Sequence, residues 1–184
     1  MSATPSAWLQ RYVYLIPPGE VLDLASGAGR NCSVLTEAGH PVLALDRDPE
    51  LLARAARPGV TTLCHDLETE PLLWPFAARR FAAIVICNYL HRPLFPHILA
   101  SLVDGGVLIM ETFGQGNELY GRPKNPLFLL APEELLGLGR YLPDAVLRVV
   151  AYEAGYCENP GPAIIQRVCL VKGGVNPIPL REIH

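Results

Sequence analysis

Apolar residues in this chain gather in short unbroken runs that alternate with stretches of helical spacing. The runs Val21 to Ala25, Val42 to Asp46, Thr61 to about His65, Phe81 to Cys87 and Gly106 to Glu111 predict strands, most of them apolar enough to be buried on both faces. Between them, helices are predicted over Arg30 to Ala38, closed by Gly39, over Pro49 to Arg57, stopped by Pro58 and Gly59, and from about Leu94 to Val103. Pro49 suits a first helical turn, where its missing N–H does no harm, and a glycine suits the residue after a helix. Strand and helix in alternation imply parallel strands joined by crossovers. Pro132, Glu133 and Glu134 begin another helix, and the β-rich segments Ala145 to Glu153 and Ala163 to Lys172 flank Asn159, Pro160, Gly161 and Pro162, the punctuation of a hairpin. The expected architecture is α/β, a seven-stranded, mostly parallel sheet that ends in an antiparallel hairpin. Ahead of it, Ser6 to Ile16 puts Trp8, Leu9, Tyr12, Leu15 and Ile16 on one helical face, which packs on the sheet or covers the site. Gly114 to Pro132 is the longest irregular piece, and loops of that length are usually functional or mobile.

Composition leaves that outline intact. A chain of 184 residues, 50% hydrophobic and 18% charged, suits a single domain over 1–184 with its own core, with 1–19 as an N-terminal helix and lead-in and 173–184 as a flexible, proline-rich tail. No apolar run approaches the ~20 residues of a membrane helix, and MSATPSAWLQRYVYLIPPG lacks the pattern of a signal peptide. A cytoplasmic protein with no membrane partner is expected. The net charge of −3 and the scatter of basic residues exclude an electrostatic footprint for nucleic acid. Thirteen of the fifteen basic residues are arginine, which suits either an anionic substrate or a solvated surface with nonpolar stems. Five cysteines, Cys32, Cys64, Cys87, Cys157 and Cys169, never form a CxxC pair; buried reduced thiols are expected, and no metal site.

Chemistry concentrates first in Val21-Leu-Asp-Leu-Ala-Ser-Gly-Ala-Gly-Arg30, a small-residue turn from strand to helix where a ligand can approach the backbone. A dinucleotide fingerprint needs a third small residue, where this chain has Cys32, and Asp23 stands four residues before Gly27. An acid ahead of the turn suits a ligand with an amino group. DLASGAG resembles the first motif of class I S-adenosylmethionine-dependent methyltransferases, an acid, three variable residues and GxG. The resemblance implies a Rossmann-like three-layer sandwich and S-adenosyl-L-methionine as cofactor, held by Asp23, Ala25, Gly27 and Gly29 at the first turn. It also implies that Asp46 holds the ribose hydroxyls and that Asp66 lies near the adenine amino group, in charge-assisted hydrogen bonds. Arg47 and Leu67 flank the adenine or simply pack their loops. On local grounds alone, Asp23 reads as a turn cap, Asp46 or Asp48 as a helix N-cap before Pro49, and Asp66 as a surface loop residue.

After the fourth strand comes Cys87-Asn-Tyr-Leu-His-Arg-Pro93, where the family lines its methyl-transfer site; Asn88 falls to the cofactor and Tyr89 and His91 to catalysis. The segment departs from the NPPY-type sequence of enzymes that methylate nucleobase or glutamine amino groups, which weighs against those substrates. His91 is either a general base for an oxygen or thiol nucleophile, being a residue type that exchanges protons near neutral pH, or a structural cap of the next helix. Glu111, at the carboxyl end of its strand with Thr112 and Phe113, is a second catalytic candidate. Tyr120 and Arg122, in Gly114-Gln-Gly-Asn-Glu-Leu-Tyr-Gly-Arg-Pro-Lys124, are substrate contacts on a glycine-hinged lid or part of a structured surface turn. NYLHRP and GNELYGRP together resemble short bacterial methyltransferases distantly similar to the tellurite-resistance-type small-molecule enzymes. A methyltransferase acting on a small-molecule acceptor is therefore expected. The alternatives are an RNA or protein acceptor recognised with a partner subunit, a non-enzymatic cofactor-binding module, and a nicotinamide dehydrogenase.

Overall fold

The apolar runs become strands of one sheet. The computed structural model describes residues 4–174 and 177–179, and among them seven strands lie in the order β3-β2-β1-β4-β5-β7-β6. They are β1 (Val21–Leu24), β2 (Val42–Asp46), β3 (Val60–Cys64), β4 (Phe81–Cys87), β5 (Leu102–Phe113), β6 (Leu147–Cys157) and β7 (Ala163–Lys172). β1 to β5 pair in parallel, and β7 runs against both β5 and β6. The register sets Leu24 beside Leu45 and Ile86, and Cys87 beside Glu111. The carboxyl ends of β1, β2, β4 and β5 thus share one edge, and the strand order reverses between β1 and β4, where open α/β sheets bind ligands.

Alternation along the strands divides the core in two. Val21, Val42, Ala44, Val85 and Ile109 pack under α1 (Ala7–Tyr12), α2 (Cys32–Glu37) and α3 (Pro49–Ala55). Leu22, Leu45, Ile84, Ile86 and Met110 pack under α4 (Phe95–Ser101) and a 3-10 helix, Glu134–Tyr141. Three layers result, as expected. The first helix does pack on the sheet: Trp8 is 1% exposed and its indole N–H donates to the Val168 carbonyl at 3.1 Å.

Several boundaries differ from the pattern. The helix expected from Ser6 to Ile16 is α up to Tyr12 and 3-10 over Val13–Leu15. α2 begins two residues late and ends one early, because the glycine turn runs on to Asn31. α4 ends at Ser101 rather than Val103, since Leu102 already pairs with Phe81 in β5. Its last carbonyls are met from a distant strand: the Lys172 ammonium, buried in β7, donates to Leu99, Ala100 and Leu102 at 2.8, 3.1 and 2.7 Å. The helix expected from Pro132 opens only after Glu133, which adopts φ 60, and is 3-10 with Gly137 and Gly139 inside it. β6 starts and ends later than Ala145 to Glu153 because β7 pairs it out to Cys157.

All five cysteines are free, but only Cys32 and Cys169 are buried as expected; Cys87 and Cys157 are half-buried, and Cys64, on the edge strand β3, is exposed. Of the tail expected to be flexible, residues 175, 176 and 180–184 lie outside the described residues, as do 1–3 of the lead-in; Ile178 packs partly buried against the α1 side of the core.

Candidate functional site

The turn after β1 is built around glycine geometry and one carboxylate. Ala25, Gly27 and Gly29 all have positive φ, 55, 55 and 70°, which glycine adopts freely and alanine only under constraint. The Gly27 N–H donates to Asp46 Oδ2 at 2.7 Å, and Asp46 Oδ1 accepts the Asp48 N–H at 3.0 Å. Asp46 thereby joins the β1 turn to the β2 end. It does not cap α3, a task taken by Asp48, whose carboxylate accepts from Glu50 and Leu51. Gly29 serves packing, since a Cβ there would lie 2.7 Å from that of Ala55 on α3, whereas at Gly27 a Cβ would meet nothing within 4 Å.

Asp23 is 1% exposed and lies beneath the turn. The Cys32 thiol approaches it at 3.5 Å, and burial pushes its carboxyl up to about 6 against the hydrogen bonds of Cys32 and Asn31. Cys32 is in turn pushed upward by burial and by that acid. Burial, then the charges of Glu111 and Asp23, push Cys87 up to about 12. A raised pKa disfavours the thiolate, the nucleophilic form of cysteine.

A cleft of about 180 Å³ opens where the ends of β1 and β2 meet the loop after β3, lined by Ala25, Leu45, Asp46, Arg47, His65, Asp66, Leu67, Glu68 and Tyr89. Six of these, Ala25, Asp46, Arg47, Asp66, Leu67 and Tyr89, were singled out from sequence; Leu45, His65 and Glu68 were missed, though each stands within two residues of a matched acid in the chain. Asp66 is exposed and accepts the Glu68 N–H at 2.9 Å. Burial, with the Glu68 carboxylate beside it, pushes the Tyr89 hydroxyl well above its ordinary range.

Asp23, Gly27, Gly29, Asn88, His91 and Glu111 do not line the cleft. Asn88, at φ 59, ties β4 to β5 through its N–H to the Glu111 carbonyl. Glu111 lies 3.8 Å from Arg167, which also meets Glu153. His91 occupies the cap position of the 3-10 turn Arg92–Leu94 without a side-chain capping bond. The next residue, unremarked in the sequence, is a clamp: Arg92 grips Glu134 through two bonds of 2.7 and 2.8 Å and donates to the Leu127 and Leu129 carbonyls. The Tyr120 ring meets Tyr156 at 5.1 Å with a tilt of 46°, and Arg122 lines a separate hollow with Pro123, Lys124, Asn125 and Phe128.

The donors and acceptors at the first turn fit a nucleoside cofactor. Ser26 Oγ is buried without a partner, a state that native structures seldom leave uncompensated, and Gly27 leaves open space above a carboxylate able to accept further hydrogen bonds. Among the described residues no group of three or more His, Cys, Asp or Glu is placed to hold a metal ion, and no helix is long and apolar enough to cross a membrane.

Residues 21–106 match the family described as "Methyltransferase domain". Protein-L-isoaspartate O-methyltransferase of Chlorobaculum tepidum is 31% identical over 110 residues, 56% of this chain and 49% of that protein. The chain thus spans about half the length of the curated relative it matches. An S-adenosylmethionine dependent methyltransferase from Mesorhizobium loti has a similar structure, with a TM-score of 0.68 at 17% identity over 90% of this chain and 98% of that one. A TehB-like S-adenosylmethionine-dependent methyltransferase from Corynebacterium glutamicum is similar with a TM-score of 0.62 at 20% identity, over 90% and 87% of the two chains.

Proposed function

We propose that this chain, whose residues 21–106 match a methyltransferase domain and whose Rossmann-like fold is similar to those of S-adenosylmethionine-dependent methyltransferases, binds S-adenosylmethionine and methylates a small-molecule acceptor. The observation that carries this reading is the 2.7 Å bond from the Gly27 N–H to Asp46, which holds a carboxylate at the mouth of the cleft where β1 and β2 end. The bound cofactor supplies an electrophilic methyl group; the chain's residues hold and align it.

Asp46 accepts the two ribose hydroxyls in charge-assisted hydrogen bonds. Arg47 and Leu67 flank the adenine, and Asp66 accepts from its amino group. Ser26 Oγ supplies a hydroxyl to the ligand at the turn. Tyr89 donates at the cleft wall, and Asp23 and Gly29 shape the turn from beneath. For an oxygen or sulfur acceptor, His91 would take the acceptor's proton on a ring nitrogen, while alignment and exclusion of water would lower the barrier. Glu111 orders the neighbouring strand end through Arg167. A net charge of −3 without a basic patch supports a small acceptor over nucleic acid. A protein acceptor is the second reading, favoured by the name of the Chlorobaculum tepidum relative.

Calorimetric titration with S-adenosylmethionine, S-adenosylhomocysteine and NADH tests the cofactor site. Binding of the first two alone is expected, and binding of NADH alone would move the search to redox chemistry. Transfer of labelled methyl to small acids, alcohols, amines and thiols, run beside an isoaspartyl peptide, then separates the two acceptor readings.

A further inference from the structure

The segment from Gly114 to Pro132, expected to be mobile or functional, is a strap fixed at two points. Asn117, 1% exposed, donates to the Pro123 carbonyl at 3.3 Å and accepts the Ile164 N–H at 3.2 Å. Arg92 holds the other side through the Leu127 and Leu129 carbonyls at 2.8 and 2.9 Å. Between these anchors lies a shallow hollow of about 370 Å³, open to solvent and lined by Arg122, Pro123, Lys124, Asn125 and Phe128.

Its lining puts charge and apolar surface together. Arg122 and Lys124, like the exposed Arg47 and Arg54, form no ion pair or side-chain hydrogen bond among the described residues, and both line one hollow with Phe128. In the same segment of chain, Leu119, Tyr120, Leu127 and Phe128 are 82, 47, 71 and 42% exposed, and Phe128 lines the hollow with the two cations. Unpaired cations beside uncovered apolar side chains, on a rim held by buried polar groups, match a ligand with an anionic head and a flat apolar body. The Arg92 anchor follows His91 directly, so this rim adjoins the segment after β4.

Resting on the methyltransferase reading, we propose that this hollow is a subsite for the acceptor, which is an aromatic or similarly flat apolar carboxylate or phosphate. Arg122 and Lys124 hold the anion, Phe128 packs the body, and the Arg92–Glu134 clamp keeps the strap against the reacting end. The specificity this gives is for charge first and shape second.

Amide NMR spectra of the full chain, titrated separately with 2-naphthoate, 2-naphthyl phosphate and the neutral 2-naphthamide, test it. Saturable shifts at residues 122–128 are expected for the anions, with affinity about tenfold above the amide and about tenfold lower in the double variant Arg122→Gln, Lys124→Gln. Both side chains are unpaired, so the variant should melt with the native chain. The ratio of naphthoate to naphthyl phosphate affinity tells which anion the subsite takes. The proposal is overturned if the amide binds as well as the anions, or if the double variant binds them unchanged. S-adenosylhomocysteine, titrated into both proteins, separates the two failures. Equal binding to both without naphthoate shifts sinks the subsite alone, and no binding to either sinks the methyltransferase reading.

Discussion

Asp46 accepts two backbone N–H groups, one from the turn after β1 and one from its own loop, and lies on the wall of the cleft. In the proposed role, Asp46→Ala weakens S-adenosylmethionine binding by about 1.5 to 3 kcal/mol, roughly ten- to a hundredfold. Asp46→Asn, which keeps one acceptor, loses less. Calorimetry on folded variants checks this, and an unchanged affinity would remove Asp46 from the site. At this scale much could be read in advance: Asp46, Asp66 and their neighbours Arg47 and Leu67 stand at strand ends marked by apolar runs. What could not be read was which way each acid faces. Asp23 and Asp46 are both acids beside apolar strand residues in the chain, yet Asp23 is buried under the turn and Asp46 lines the cleft.

Elements here are finished by side chains remote in sequence. Lys172 of β7 meets three carbonyls at the end of α4, where a cation also complements the helix dipole. Burial holds its pKa below the ordinary lysine value, with the Asp104 charge opposing. Lys172→Met should lower unfolding stability by about 2 to 3 kcal/mol, because the bonded carbonyls lose a charged donor; denaturant unfolding reads this, and a change below about 0.5 kcal/mol would show that water replaces the ammonium. The Arg92–Glu134 clamp is the same device on the strap, and burial of Glu134 is outweighed by Arg92 and the Ala131 N–H, so its carboxyl stays below the usual range. Apolar spacing identified α1, and proline and glycine punctuation identified α3, since both are local information. The end of α4 and the 3-10 form of Glu134–Tyr141 were not legible, because they depend on Phe81, Lys172 and Arg92, which lie far off in the chain.

For the molecule as a whole, Asp23 ties stability to pH. Its pKa rises from 3.8 unfolded to about 6 folded, chiefly through burial, so between these values the native state holds a proton that the unfolded chain has released. Stability from this group is full below about 4, falls as pH rises through 4 to 6, and is level above. Asp23→Asn should flatten that part of the stability curve, measured by denaturant midpoints from pH 4 to 7; a curve that keeps its slope in the variant would assign the effect to another group.

The order of strands and helices, the parallel class of the sheet, the closing hairpin and the position of the glycine turn after β1 were determined by the sequence alone, since each follows from contiguous residues: runs of apolar side chains, prolines and glycines at fixed offsets, and an acid before GxG. Tertiary structure alone decided the 2.7 Å union of Gly27 with Asp46, the Arg92 clamp on the strap and the hollow between Arg122 and Phe128. These join residues from separate elements, and a hydrogen bond is set by distance and angle in space, which local patterning does not encode.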